Sequence, residues 1–188
     1  MDIGIIAEEK NDLEVLYALT CKLVRKESFS FNKKFFGHGC GKIRCKCSAW
    51  ADNLSTRGCP LLVVIHDLDK SNEHELRNQL FDRVKHVKFK DRLILIPVNE
   101  IEAWLLTDAN ALKKVFRLSK LPKLPPNPEK LNDPKKTILE IVQKFDRKQY
   151  VNTIHNKKIA EAISISKLKG SKSFLPYINF IGTHLKGK

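Results

Sequence analysis

Leu61-Leu62-Val63-Val64-Ile65-His66-Asp67-Leu68-Asp69 is five apolar, largely β-branched residues that run into two acids. Such a run reads as a strand buried on both faces, the kind that parallel sheets use. Two similar runs flank it. Ile3-Gly4-Ile5-Ile6-Ala7 precedes Glu8 and Glu9, and Arg92-Leu93-Ile94-Leu95-Ile96-Pro97-Val98 precedes Glu100 and Glu102. Helical periodicity lies between and beyond them, over 13–26, 48–57, 73–85 and 100–116. The segment from Phe29 to Cys47 reads as a short strand or loop. Strands alternating with helices predict an α/β fold, Rossmann-like, with a mostly parallel sheet flanked by helices.

The Pro-rich stretch Leu121-Pro122-Lys123-Leu124-Pro125-Pro126-Asn127-Pro128 admits neither helix nor central strand. It divides an α/β core over 1–120 from a helical C-terminal extension over 121–188. In the extension, helices are expected from Asp133-Pro134 to about Phe145, over 159–166 and over 172–185.

The strand ends carry the chemistry. Ligands of open α/β sheets bind beyond the carboxyl ends of the strands. Glu8, Asp67, Asp69, Glu100 and Glu102 are therefore expected in one place, with Glu9 the weakest member. Clustered carboxylates repel unless a cation neutralises them. Oxygen donors without His or Cys favour Mg²⁺ or Mn²⁺. Asp67 and Asp69, two apart on an extended chain, are expected to point the same way. A metal held there can bind a phosphate oxygen and activate water. A calcium loop starting at Asp67 is excluded, because its sixth and twelfth positions are Asn72 and Asn78. A phosphatase using Asp67 as nucleophile fits locally, but the chain has no later Asp-Asp pair. A metal-dependent phosphotransferase and a non-enzymatic nucleic-acid or partner-binding module are the remaining alternatives.

The 188 residues include 35 Lys and Arg against 21 Asp and Glu, a net charge of +14. That excess points to a polyanionic partner, DNA or RNA. It is uneven: residues 1–20 sum to −4 and residues 21–50 to +7. Lys33, Lys34, Lys42, Arg44 and Lys46 form one basic stretch, interleaved with Phe29, Phe31, Phe35 and Phe36, which can stack on unpaired bases or lie in the core. Lys157 and Lys158 are further candidates for phosphate contact. There is no run of apolar residues long enough to span a membrane and no basic leader, so a cytoplasmic location is expected. Five cysteines, an odd number, fit reduced thiols. Zinc at Cys40, Cys45, Cys47 and Cys59 is disfavoured by their spacing.

Taken together, these motifs resemble a TOPRIM domain, the metal-binding fold of topoisomerases, primases and OLD-type nucleases. Ile5-Ile6-Ala7-Glu8-Glu9-Lys10-Asn11-Asp12 is similar to that family's first motif, with Glu9 where Gly is usual. Asp67 and Asp69 match its Asp-x-Asp. More particularly, the chain is similar to stand-alone TOPRIM-like bacterial proteins of unknown function, some encoded beside ATPases in anti-phage loci. The matching pieces are Glu100-Ile101-Glu102-Ala103-Trp104-Leu105-Leu106-Thr107-Asp108, Pro128-Glu129-Lys130-Leu131-Asn132-Asp133, Lys157-Lys158-Ile159-Ala160-Glu161-Ala162-Ile163 and Ser173-Phe174. The resemblance implies a Mg²⁺-dependent nuclease in phage defence, with a companion ATPase. Asp67 and Asp69 would hold the metal, Glu8 would be a ligand or general acid/base, and Glu100 or Glu102 would complete a second metal. Tyr17, Tyr150 and Tyr177 stand in no motif, which favours water over a tyrosine as the attacking group.

Overall fold

A computed structural model describes residues 1–37, 40–146 and 149–185. The elements in chain order are β1 (Ile3–Ala7), α1 (Lys10–Leu23), β2 (Lys34–Phe36), α2 (Cys40–Thr56), β3 (Leu61–Ile65), α3 (Glu73–Val84), β4 (Asp91–Leu95), α4 (Glu102–Leu105), α5 (Ala109–Phe116), α6 (Pro134–Asp146), α7 (Asn152–Ala162), α8 (Ile165–Leu168) and α9 (Leu175–Leu185). Short 3₁₀ turns lie at Lys26–Ser28 and Pro128–Lys130. The four strands make one parallel sheet in the order β2-β1-β3-β4. Among the described residues no helix is long and apolar enough to cross a membrane.

Every residue of β1 and β3 is buried, because both faces of the sheet are covered. Alternation sorts their side chains into two cores. Ile3, Ile5, Leu61, Val63 and Ile65 join the core that contains α1 and the helices after β4. Ile6, Leu62, Val64 and Ile94 join the core under α2 and α3. The approach of α2 is close: a Cβ at Gly4 would stand 3.1 Å from Leu54 Cδ1. Gly58, at φ +78°, ends α2 in the left-handed conformation that glycine tolerates.

The first core runs without a break into the extension. It includes Ile138, Val142, Ile159, Phe174, Tyr177 and Ile181. The Thr20 and Tyr177 hydroxyls meet at 2.6 Å inside it, tying α1 to α9. The indole N–H of Trp104 donates to Ser173 Oγ at 2.8 Å, and that hydroxyl donates to Glu129 Oε1 at 2.6 Å. The Phe174 ring lies 4.9 Å from that of Trp104.

Several expected boundaries shift. The stretch read as one helix over 100–116 is two, α4 and α5. Asp108 separates them, accepting from the N–H groups of Asn110 and Ala111 at the start of α5 and from Ser164 N–H across the fold. The helix expected to start at Ser48 begins at Cys40. The first helix starts at Lys10 rather than Leu13. The helix expected over 159–166 divides into the end of α7 and α8. Phe29 and Phe31 are core residues with ring centroids 5.1 Å apart, packed on Tyr17, so neither presents a face to an unpaired base. Phe35 stacks on Trp50 at 5.4 Å.

A candidate carboxylate metal centre

The strand order reverses between β1 and β3, since β2 lies to one side of β1 and β4 beyond β3. Such a reversal leaves a crevice at the carboxyl ends of the two central strands. Glu8 leaves β1 there, and Asp67 leaves β3 one residue after His66. Glu8, Glu9, Asp12, Asp67, Asp69, Glu100 and Glu102 all line one cleft of about 160 Å³, together with Asn11, Asn152 and, among the described residues, one cation, Lys135.

Each carboxylate is placed by a local cause. Asp12 Oδ2 accepts the Glu9 N–H at 2.9 Å across the first turn of α1. Asp67 follows a buried histidine whose backbone N–H donates to Leu95 O at 3.1 Å, carrying the sheet pairing one residue past the strands. Asp69 does not reach the cleft by extended alternation. Its φ is +50°, and its N–H donates to Asn99 O at 3.1 Å. Asn99 is itself at φ +60°. Asp and Asn are the non-glycine residues that tolerate this region, and such outliers cluster at working sites. Glu100 Oε2 accepts from Lys135 N–H at 3.1 Å, at the start of α6.

Glu102 is held most firmly. It is 4% exposed, and its Oε1 accepts from Asn156 Nδ2 at 2.9 Å. The Tyr150 hydroxyl lies 3.2 Å from the same oxygen and 2.6 Å from Asn156 Oδ1. Burial and the Glu102 charge hold the Tyr150 phenol well above its ordinary range. His66 contributes differently. Its Nδ1 lies 2.7 Å from the Asp67 carbonyl oxygen, an acceptor, so Nδ1 carries the proton. Glu8 Oε2 lies 3.5 Å from that nitrogen.

The electrostatics are those of crowded acids. Burial, reinforced by the Glu102, Glu8 and Glu9 charges, pushes Asp12 up to about 7 against the Glu9 hydrogen bond. Burial raises Asp67 well above the carboxylate range, with Asp12, Glu102, Glu8 and Asp69 adding to it. Burial also raises Glu8 and Glu100. Glu8 Oε2 and Asp67 Oδ1 are buried without a hydrogen-bond partner. A buried acceptor of this kind is costly unless something else supplies the interaction. Among the described residues no three acidic, His or Cys side chains are grouped so that they could hold a metal ion as they stand. The donor set nevertheless suits a hard divalent cation: it is all oxygen, anionic and partly unpartnered. Glu8 and Asp67 carry the bare oxygens, with Asp12, Asp69, Glu100 and Glu102 around them. Bound there, Mg²⁺ or Mn²⁺ would neutralise the cluster and polarise a phosphate oxygen or water.

The five acids expected from the sequence thus line one cleft. Asp12, the last residue of the Ile5–Asp12 motif, lies in the first turn of α1, accepts the N–H of the cap residue Glu9 and lines the cleft as well. Tyr150, Asn156, His66 and Lys135 carry no local signal; Tyr150 and Asn156 lie 48 and 54 residues from Glu102 in the chain. The basic candidates scatter. Lys33 donates to Asp2 and to Arg57 O, both at 2.6 Å, so its ammonium sits at the amino end of the sheet, away from the cleft. Lys42, Arg44 and Lys46 are exposed on α2, and Arg44 reaches Ser71 Oγ at 3.4 Å. Lys34 and Lys157 line a separate cavity, and Lys158 is exposed. Of the cysteines, Cys45 is exposed while Cys47 and Cys59 are buried in the second core, so those three do not converge on zinc. The Cys40 side chain lies outside the described residues.

No curated protein and no solved structure matches the chain. One family's sequence pattern does match, over residues 18–181, which takes in β2, β3, β4 and the helices, except residues 10–17 of α1 and 182–185 of α9, with β1 and Glu8 before it. The chain belongs to the family described as a domain of unknown function, DUF4276.

Proposed function

We propose that the protein is a Mg²⁺- or Mn²⁺-dependent phosphodiester hydrolase acting on DNA or RNA, with a TOPRIM-like centre. The observation that carries the reading is the convergence of carboxylates from three strand ends on one crevice, with bare buried oxygens on Glu8 and Asp67. Asp67, Asp69 and Glu102 are the metal ligands in this reading, with Glu100 beside them. Glu8 is the remaining ligand or the group that moves the proton of the attacking water. Tyr150 is not a nucleophile, because its hydroxyl is buried and engaged by Asn156 and Glu102. The setting implied by the resemblance, phage defence beside an ATPase, would explain an isolated protein that cuts slowly.

Supercoiled plasmid, single-stranded DNA and RNA incubated with Mg²⁺ or Mn²⁺ test the reading. Wild type is expected to cut one of them, and Asp67→Asn/Asp69→Asn to lose at least about 10²-fold, as when a charge-stabilising group is removed. Cutting that survives in a correctly folded double variant would place the chemistry elsewhere.

A further inference from the structure

A second cavity, of about 320 Å³, runs along α1 on the β2 side. No described residue lines both this cavity and the acidic cleft, but their linings are neighbours along the chain. Lys10 follows Glu9 directly, and Lys157 stands on α7 five residues beyond Asn152, which lines the cleft. At 1.5 Å per residue that is roughly 8 Å along the helix. The β2 end meets the same junction, since Gly37 N–H donates to Ala7 O at 3.1 Å, just before Glu8. Lys10, Lys34 and Lys157 line this cavity together with the half-buried rings of Tyr17 and Phe36, and the buried Phe31 lies beneath them as core. One acid, Glu14, faces them, 3.8 Å from the Lys10 ammonium in an exposed pair that contributes little.

A basic, aromatic-lined groove whose lining residues neighbour those of a carboxylate cleft along the chain has a specific chemical meaning. Ammonium groups take phosphates without reading sequence, and half-buried rings take an unpaired base by stacking. The volume is that of a small-ligand pocket, too narrow for a duplex. We propose that this α1–β2 cavity holds the nucleotide next to the scissile phosphate, with its base unpaired, so that the protein engages single strands. The proposal rests on the phosphodiester reading for the identity of its ligand, but its test does not depend on cutting.

The test is fluorescence anisotropy of a short fluorescein-labelled oligothymidylate in EDTA, where no cutting takes place. Lys34→Ala/Lys157→Ala is expected to weaken binding about tenfold and to reduce the salt slope by about 1.4, the value for two lost contacts to a single strand. Tyr17→Leu, which keeps apolar volume, is expected to lose about fivefold or more with the salt slope unchanged. The charge-matched pair Lys88→Ala/Lys90→Ala, at the amino end of β3 and β4, is expected to stay within about twofold. Circular dichroism confirms that each variant is folded. Equal weakening by the two lysine pairs would overturn the proposal, because binding would then follow net charge alone. A duplex that competes as well as the single strand, or a free mononucleotide that displaces the oligonucleotide at equal concentration, would also overturn it. Selective loss in the cavity variants, alongside a wild type that cuts nothing in any divalent cation, would uphold the groove and remove the hydrolase reading. Cutting lost in Asp67→Asn with oligonucleotide binding retained would uphold both.

Discussion

Glu102 is buried, and a side chain in that position needs something to hold it in one rotamer. Asn156 and Tyr150 supply this from α7 and the residues before it. Groups that orient a ligand in this way typically change metal affinity 10–100-fold when removed. Tyr150→Phe removes one hydroxyl from a shared arrangement, whereas Asn156→Ala removes the direct amide donor. Asn156→Ala is therefore expected to weaken Mn²⁺ binding by at least about tenfold, and Tyr150→Phe by less. Titration calorimetry measures both, and equal affinity in Asn156→Ala and wild type would show that Glu102 takes no part in the metal centre. The five acids were legible in the sequence because each stands at the end of an apolar run. Their holders were not, because a hydrogen bond between residues about fifty apart leaves no periodicity. Asp69 was legible for an incomplete reason: a left-handed turn, rather than strand alternation, brings it to the cleft.

Strands β1 and β3 were legible as elements because an apolar run buried on both sides has few other readings, and β4 was legible from the apolar run that follows Arg92, although its first three residues are exposed or half-buried. β2 was not, since it is three residues long with one exposed and two half-buried positions. The break between α4 and α5 was hidden for the opposite reason. The apolar spacing continues through Leu105, Leu106, Ala111 and Leu112, and only the capping by Asp108 interrupts it. The pieces that carry the family resemblance divide by role once the elements are in place. Glu100 and Glu102 line the cleft. Trp104, Glu129, Ser173 and Phe174 form a strut that fixes the extension on the core. Ser173→Ala leaves the Trp104 N–H without its partner, while the Glu129 oxygens keep the backbone N–H groups of Lys172 and Ser173. The expected cost is about 1–3 kcal/mol, read from urea midpoints. Metal affinity of the folded fraction is expected to stay at the wild-type value; a fall as large as that of Asn156→Ala would mean that the strut also shapes the centre.

Over the whole molecule two charge patterns oppose each other. The chain carries +14, yet its crevice gathers seven carboxylates around one lysine. Surface lysines more than about 10 Å away are screened by salt, while buried acids a few ångströms apart are not. The local repulsion therefore wins, and the folded protein without metal keeps protons that the unfolded chain releases near pH 4. Asp12, raised to about 7 by burial and its acidic neighbours, extends that window at least to there, and Asp67 is raised in the same direction. A folded state that binds more protons loses stability as pH rises, so these acids are expected to weaken the metal-free protein from about pH 4 up through the ionisation of Asp12 near 7. Taken at face value the Asp12 shift amounts to ~4 kcal/mol, and even a quarter of that moves Tm by about 2–4 °C. A divalent cation must displace these protons, so its affinity climbs over the same pH range. Thermal unfolding at pH 5.5 and 8, with EDTA or with excess Mn²⁺, measures both effects. The expected result is a Tm that falls with pH in EDTA and a Mn²⁺-induced rise that is larger at pH 8. Asp67→Asn should flatten both dependences, because it removes a buried carboxyl that is also a proposed ligand. A Mn²⁺-induced rise that is equal at the two pH values, or that persists in Asp67→Asn, would mean that the cation binds outside the crevice.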